Sequence, residues 1–215
     1  MLHYETIHPT TLELLKKLTA QEELRDLRLV GGTSLALQYG HRQSVDLDFF
    51  GKPQLSLDEI LEMTMRLGEV KVLNRTKSIL QVILNGVKVD VVDYSCYEWI
   101  DEPVIEEGLV LASPKDIAAL KINAIEGRGT KKDFVDIYEL LKHYDLSDLL
   151  GFYSEKYPNY SIFRALLSLT YFEDADTQAM PVMFSSVTWD EIKKNILTAV
   201  KNQNNHHSLS NNPIY

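Results

Sequence analysis

The first forty residues alternate between helical and strand spacing of their hydrophobic positions. Leucines three positions apart predict an amphipathic helix over residues 9–24. Residues 27–30 form a short strand candidate that runs into Gly31-Gly32. A short helix is expected over residues 35–39, with Thr33 or Ser34 as its N-cap and Gly40 as its end.

Residues 44–50 show the period-two alternation of a strand. Hydrophobic residues occupy every second position, and the positions between them include Asp46 and Asp48. Because successive side chains on a strand point to opposite faces, both aspartates are predicted to share one face. The capping box at residues 56–59 then predicts a helix that ends at Gly68.

A β-hairpin is the strongest short-range prediction in the sequence. Asn85-Gly86 separates two strand-like segments, residues 79–84 and 87–94. Counting back from a two-residue loop places Gln81 opposite Asp90. Residues 70–73 and 108–111 are two further strand candidates.

From about residue 113 the pattern is helical only. Ser113-Pro114 is a helix-start signal. Helices are predicted over residues 114–127, 132–143, 146–156, 160–172 and 192–201. Strands followed by a run of helices indicate an α+β fold with a helical C-terminal half. We therefore divide the chain into residues 1–112, residues 113–202 and a frayed polar tail, residues 203–215.

Composition and charge exclude several classes of protein. The chain has 215 residues and a net charge of −9, from 22 Lys and Arg against 31 Asp and Glu. This acidity argues against a general nucleic-acid binder, although it allows a local basic groove and a carboxylate metal site. Cys96 is the only cysteine, so a disulfide framework is excluded. No apolar run approaches the roughly 20 residues that span a bilayer, so we expect a cytoplasmic protein without membrane contact.

One candidate site joins the glycine turn to the two aspartates. Two glycines after a strand let the chain turn and leave backbone N–H groups bare at a helix N-terminus, which suits a phosphate. Carboxylates at i and i+2 on a strand lie roughly 6.5–7 Å apart at the backbone. Their oxygens can converge on Mg²⁺ or Mn²⁺ that also holds a triphosphate. The plain alternatives are an ordinary capped turn and a solvated strand face.

A third carboxylate is expected on a neighbouring strand. Asp90 and Asp93 are three residues apart and so face opposite sides of the predicted hairpin strand. We favour Asp90, because it lies mid-strand between two valines, whereas a turn or cap can explain Asp93. An exposed face beside Lys88 is the alternative explanation for Asp90.

A second candidate site lies in the helical half. Lys121 has apolar neighbours on both adjacent turns of its helix, so it must either snorkel outward or meet an anion such as an NTP phosphate. Arg128, Lys131 and Lys132 form a local basic run that could contact phosphate or RNA. Asp136 follows Lys132 by four residues. This spacing allows either a surface ion pair or a role in orienting Lys121.

Two motifs in order resemble the nucleotidyltransferase AbiEii/AbiGii toxin family, within the DNA polymerase beta-like nucleotidyltransferases. The first motif comprises residues 29–37, Gly40-His41-Arg42, Ser44 and residues 46–50. The second comprises Lys121, Ala124, Arg128, Lys132-Asp133 and Asp136. The resemblance covers roughly residues 25–142. The C-terminal helices fit the family in kind, without a matching motif.

The resemblance implies a minimal nucleotidyltransferase fold, with a mixed sheet flanked by helices over residues 1–112. The helical region of residues 113–202 would complete the active-site cleft. Asp46, Asp48 and a third acid would hold two Mg²⁺, and Asp90 and Asp93 both fit loosely as that acid. The residues implied to contact the NTP are Gly31, Gly32, Thr33, Ser34, Arg42 and Lys121, with Lys132 and Asp136 nearby.

The resulting hypothesis is transfer of an NMP from an NTP to a hydroxyl acceptor, with release of pyrophosphate. The resemblance implies a toxin of a type IV toxin–antitoxin or phage-defence system, with RNA, such as a tRNA 3′ end, as acceptor and a cognate antitoxin as partner. Nucleotidylation of a protein hydroxyl is the alternative activity. A nucleotide-binding module without turnover and a purely structural interaction protein are the alternatives from other classes.

Overall fold

The computed structural model describes residues 1–210, with side chains as far as residue 204. The chain forms two compact units, and the boundary between them lies at Ser113 and Pro114. Each unit is described by itself.

The first unit contains three α-helices and a seven-stranded sheet. The helices are α1 (Pro9–Thr19), α2 (Gly31–Tyr39) and α3 (Leu57–Leu67). The strands are β1 (Leu27–Val30), β2 (Leu47–Gly51), β3 (Val70–Arg75), β4 (Ile79–Leu84), β5 (Val87–Asp93), β6 (Val104–Glu106) and β7 (Leu109–Leu111). Short 3₁₀ turns lie at Tyr4–Thr6 and Glu22–Leu24.

The sheet is mixed, with strand order β3-β4-β5-β2-β1-β7-β6. Neighbouring strands run antiparallel except for the β2–β5 and β1–β7 pairs, which are parallel. The α+β fold predicted from the sequence, with a mixed sheet followed by helices, is confirmed.

Local sequence signals explain the hairpin that leads to β5. Asn85 and Gly86 both adopt positive φ, +50° and +85°, as a two-residue hairpin loop requires. The register that follows places Leu84 opposite Val87 and Gln81 opposite Asp90. Both the loop and the predicted Gln81–Asp90 pairing are confirmed.

One face of the sheet forms the hydrophobic core of the first unit. Alternate residues of β2 and β4 are buried, as the period of a strand requires. The core also contains side chains from α1 and α3: Leu14, Leu15, Leu18, Ile60, Leu61 and Met63. The opposite face is less buried and carries the polar residues of the candidate site.

The second unit is helical throughout its described residues. Its helices are α4 (Pro114–Gly127), α5 (Lys131–Leu140), α6 (Leu146–Lys156), α7 (Ile162–Leu169), α8 (Glu173–Asp176) and α9 (Trp189–Ser210). Helix α4 packs against α5, α6 and α7. Two fully buried side chains form an ion pair there, with Lys156 Nζ 2.8 Å from Asp116 Oδ1.

Several element boundaries differ from the predictions. Helix α1 ends at Thr19, and the Gln21 side chain beyond it donates to the Lys17 carbonyl at 3.0 Å. Strand β6 was not predicted. Helix α9 continues to Ser210, so residues 203–210 of the predicted frayed tail are helical, and residues 211–215 lie outside the described part. Within residues 1–210, no helix is long and apolar enough to cross a membrane.

Candidate active site

The turn between β1 and α2 exposes a helix N-terminus. Helix α2 begins at Gly31, where φ is +69°, and its N-cap Val30 makes no side-chain capping bond. The prediction that Thr33 or Ser34 caps this helix is therefore wrong, since both lie inside it. The first N–H groups of a helix lack intrahelical partners and favour anions. The turn thus retains the properties expected of a phosphate-binding site.

The hydroxyl groups of this turn are used within the protein. Thr33 is buried, and its Oγ1 donates to the Asp46 carbonyl and lies 2.8 Å from Ser44 Oγ. Ser34 Oγ accepts a hydrogen bond from Gln38 Nε2 at 3.2 Å. The Thr33 hydroxyl therefore fixes the segment that leads into β2. Phosphate contacts by these two side chains stay a prediction.

Asp46 lies just before strand β2, although the alternation predicted a strand over residues 44–50. Strand β2 begins at Leu47, so the prediction that Asp46 and Asp48 lie on one strand is wrong. The preceding residues are tied elsewhere, since the Ser44 N–H donates to the Thr6 carbonyl at 2.8 Å. The Asp46 carbonyl accepts a hydrogen bond from the Thr33 hydroxyl.

Asp48 lies at the centre of the polar face. In the sheet it is paired with Val30 on β1 and with Asp90 on β5. Its carboxylate also packs closely against Gly31. A Cβ added to that glycine would fall under 3.0 Å from Asp48 Oδ2, nearer than real Cβ atoms come. A glycine at this turn therefore lets the carboxylate approach the N-terminus of α2.

A polar row crosses the sheet from Asp48. Asp90 is opposite Gln81 on β4, which is opposite Asn74 on β3. Asp90 Oδ2 accepts hydrogen bonds from Gln81 Nε2 at 2.7 Å and from Lys88 Nζ at 2.6 Å. Asp90 Oδ1 is buried and has no hydrogen-bond partner among the residues that the structure describes. Since a buried carboxylate oxygen is costly without a partner, this atom is available to a ligand.

Asp93 occupies a different position from Asp90. It is opposite Gly51 in the sheet, and its Oδ1 accepts a hydrogen bond from the Ser95 N–H at 3.1 Å. This is the turn role that the sequence suggested for it. Of the two candidate third acids, the structure pairs Asp90 with Asp48.

The fit of a divalent cation rests on this carboxylate pair. Asp48 and Asp90 are oxygen donors on adjacent strands, and Asp90 Oδ1 lacks a protein donor. Hard cations such as Mg²⁺ prefer such ligands and often take only one or two carboxylates beside substrate phosphates. Among the side chains that the structure describes, residues 1–204, no three His, Cys, Asp or Glu already form a metal-binding group. The pair fits a cation that arrives with a nucleotide better than a preformed three-acid cage.

Lys121 of the second unit is buried between two carboxylates. Its Nζ lies 2.9 Å from Asp133 Oδ1 and 2.5 Å from Asp136 Oδ2, and both aspartate side chains are 0% exposed. The snorkelling and surface ion-pair alternatives are therefore wrong. The apolar helix stripe and the spacing of the two aspartates were the sequence signals for this cluster.

Electrostatics keep Asp133 ionised. Burial alone raises the pKa of Asp133, but the opposing effects of Lys121, Thr130 and Arg128 are larger and lower that pKa below its usual value. Arg128 Nε contributes from 3.5 Å. Asp133 is therefore a charged partner of Lys121 at neutral pH.

The remaining predicted contacts differ in exposure. Arg42 is buried, and its Nη1 donates to the Gln43 carbonyl at 2.9 Å. Lys132 is half-buried on α5. Substrate contacts by Arg42, Lys132, Lys121 and Asp136 stay predictions. Sequence reasoning missed the two hydrogen bonds that Gln81 and Lys88 donate to Asp90 Oδ2. The predicted hairpin register had already placed Gln81 opposite Asp90.

Comparison with known proteins identifies the family. The model of the family described as nucleotidyl transferase AbiEii toxin, type IV TA system, matches residues 13–207. The chain belongs to this family. AbiEii proteins are nucleotidyltransferases, so the chain is a nucleotidyltransferase of a type IV toxin–antitoxin family. The uncharacterized protein aq_aa25 of Aquifex aeolicus is 35% identical over 195 residues, which cover 88% of this chain and 93% of that protein.

Solved structures share the fold. A putative nucleotidyltransferase from H. pylori has a TM-score of 0.57 at 18% identity, covering 96% of this chain and 100% of that one. MenT4, a nucleotidyltransferase toxin from Mycobacterium tuberculosis, has a TM-score of 0.54 at 15% identity, covering 87% of this chain and 80% of that one. At these identities the comparison supports a common nucleotidyltransferase fold.

Proposed function

We propose that this AbiEii-family nucleotidyltransferase moves an NMP from an NTP to a hydroxyl of RNA, with a tRNA 3′ end as the candidate acceptor. The observation that carries the proposal is the adjacent pair Asp48 and Asp90 beside the β1–α2 turn. It places carboxylates next to a helix N-terminus suited to phosphate, as NMP transfer requires.

The residues proposed to hold Mg²⁺ or Mn²⁺ are Asp48 and Asp90, with Asp46 as a further donor. When bound, the cation would lower the pKa of the acceptor hydroxyl and stabilise charge on the phosphoryl oxygens. Superfamily members generally use divalent metals. Asp90 Oδ1 is the most suitable donor, because it is buried and no hydrogen-bond partner for it lies in the described part of the chain.

The chain's own groups would bind and orient the reactants. Backbone N–H groups of Gly31 and Gly32 at the start of α2 would bind the NTP phosphates. The acceptor oxygen then forms a bond to the α-phosphorus as the bond to the pyrophosphate oxygen breaks. The hydroxyl proton passes to water, and pyrophosphate leaves.

Labelled nucleotides test the proposal directly. The full chain is incubated with each α-labelled NTP, Mg²⁺ and total tRNA, and label in RNA is measured. Asp48→Asn and Asp90→Asn are expected to lower transfer at least about 1,000-fold, a loss of roughly 4 kcal/mol in transition-state stabilisation. Asp93→Asn is the matched control on the same strand and is expected to retain the wild-type rate.

The distribution of label decides between acceptors. Label in RNA that disappears in Asp48→Asn supports the proposal. Label in a protein and not in RNA would replace it with protein nucleotidylation. If the chain binds nucleotide but releases no pyrophosphate with any acceptor tested, it is a nucleotide-binding module without catalytic turnover.

Family membership also suggests a partner. We infer that a cognate antitoxin opposes the activity in the cell, because the family is that of type IV toxins. Expression in bacteria with and without the adjacent reading frame, scored by growth and by tRNA 3′ ends, tests this. Equal growth of wild type and Asp48→Asn without that reading frame would contradict the toxin assignment.

A further inference from the structure

Lys88 forms an ion pair with the carboxylate that the proposed function assigns to a metal. Its Nζ lies 2.6 Å from Asp90 Oδ2, and the Lys88 side chain is 38% exposed against 12% for Asp90. A fixed positive charge therefore already occupies one oxygen of the proposed ligand. Any cation that binds Asp90 must do so beside this ammonium.

Gln81 contacts the same oxygen without adding charge. Its Nε2 donates to Asp90 Oδ2 at 2.7 Å, and its Oε1 accepts a bond from Asn74 Nδ2 at 3.3 Å. The bond from Asn74 fixes which end of the amide faces Asp90. Gln81 thus orients the carboxylate, whereas Lys88 both orients it and partly neutralises it.

The contacts of Gln81 and Lys88 determine which oxygen of Asp90 can bind a ligand. Both donors bind Oδ2, so the unpartnered Oδ1 is the oxygen left for a ligand. Lys88 also lines a groove of about 350 Å³ together with Asp46 and the hairpin loop.

We propose that Lys88 is a positioning residue that competes with divalent cations for Asp90, so that the cation binds well only together with a nucleotide. This inference rests on the proposed function in assigning Asp90 to the metal. Two cations on one carboxylate repel each other, which weakens binding of the second. The negative charge of an NTP offsets that repulsion, so cation and nucleotide bind cooperatively.

Direct measurement of Mn²⁺ binding by electron paramagnetic resonance tests the proposal without requiring turnover. The full chain and its variants are titrated with Mn²⁺ alone and then with Mn²⁺ and a non-hydrolysable NTP analogue. Lys88→Met is expected to bind Mn²⁺ alone about tenfold more tightly than wild type, the order of the Coulomb repulsion at the dielectric constant of water. Lys88→Arg keeps the charge and is expected to stay within about threefold of wild type.

Two other variants separate competition from simple support of the fold. Gln81→Leu removes a neutral donor to the same oxygen and is expected to bind Mn²⁺ no more tightly than wild type. Lys71→Met is the control for loss of a nearby positive charge. Lys71 is an exposed lysine on β3, paired with Ile83 on β4, and Ile83 is paired in turn with Lys88 on β5. Two strand spacings put Lys71 about 10 Å from Lys88, so its loss is expected to change affinity by less than about threefold.

The outcomes are distinct. The proposal is supported if Lys88→Met is the only variant that binds Mn²⁺ more tightly than wild type, and if the NTP analogue then raises its Mn²⁺ affinity by a smaller factor. Equal or weaker binding by a folded Lys88→Met variant overturns it, as does the absence of Mn²⁺ binding in wild type and every variant. If Lys88→Met binds more tightly but no NTP transfers label, the competition stands and the proposed function fails.

Discussion

Replacing Gly31 with alanine tests the close approach of Asp48 to the β1–α2 turn. The added Cβ would lie under 3.0 Å from Asp48 Oδ2 and 3.3 Å from Asp48 Cγ, whereas ordinary contact begins at 3.4 Å. The carboxylate must therefore move by on the order of an ångström. A misplacement of that size costs about 100-fold in rate.

The backbone adds a separate cost in stability. Gly31 has φ of +69°, a conformation that costs an L-residue about 1–2 kcal/mol. Gly86→Ala is the matched control, because its φ is also positive, +85°, and no atom lies within 4 Å of the added Cβ. Both variants are expected to lose about 1–2 kcal/mol of unfolding free energy, but only Gly31→Ala should lose transfer activity.

Urea denaturation and label transfer are measured on both variants at 25 °C. If Gly31→Ala transfers label within about threefold of wild type, Asp48 does not need its present position and the reasoning is refuted. If Gly86→Ala loses as much activity as Gly31→Ala, the loss comes from backbone strain and not from displacement of the carboxylate.

Three further changes probe the buried polar groups. Lys121→Met leaves Asp133 and Asp136 without their shared ammonium, so urea denaturation should show a loss of about 3–5 kcal/mol. Asp133→Asn should be less stable than wild type at pH 7. Because the folded pKa of Asp133 is lowered, the stability it contributes is complete above the unfolded pKa of about 3.9 and lost as pH falls below it. The difference between wild type and Asp133→Asn in acid titrations should therefore shrink below about pH 4. Thr33→Val should lose about 1–3 kcal/mol, since the Asp46 carbonyl loses its donor, and Thr33→Ser should restore most of it.

Local signals predicted much of the sheet unit. Asn85-Gly86 fixes a two-residue loop, and a strand period of two then sets every pair along β4 and β5. The pairing of Gln81 with Asp90 follows from the loop alone. The preference for Asp90 over Asp93 rested on its mid-strand position between two valines, and its role as the third acid stays a prediction.

Long-range contacts limited the prediction around Asp46. Alternation of hydrophobic residues continues through residues 44–46, yet a strand also needs a neighbour for its backbone groups. Here Ser44 donates to the Thr6 carbonyl, and the Asp46 carbonyl accepts from Thr33. Neither contact leaves a periodic signature, so the strand start could not be predicted.

The burial of Lys121 has a similar explanation. An apolar helix stripe shows that a lysine must find an anion or reach water, but it cannot decide between them. The decision depends on how α5 packs against α4 and brings Asp133 and Asp136 to the ammonium.

The two carboxylate clusters differ in how completely their charges are matched. In the helical unit, Asp133 is held by Lys121, Thr130 and Arg128, an arrangement that favours a fixed structural ion pair. In the sheet unit, Asp90 keeps one buried oxygen that no described residue contacts by a hydrogen bond. An unmatched buried oxygen costs stability, and a ligand that supplies positive charge removes that cost. We therefore expect ligand contacts at Asp90. Changing Lys121 is expected first of all to lower the free energy of unfolding.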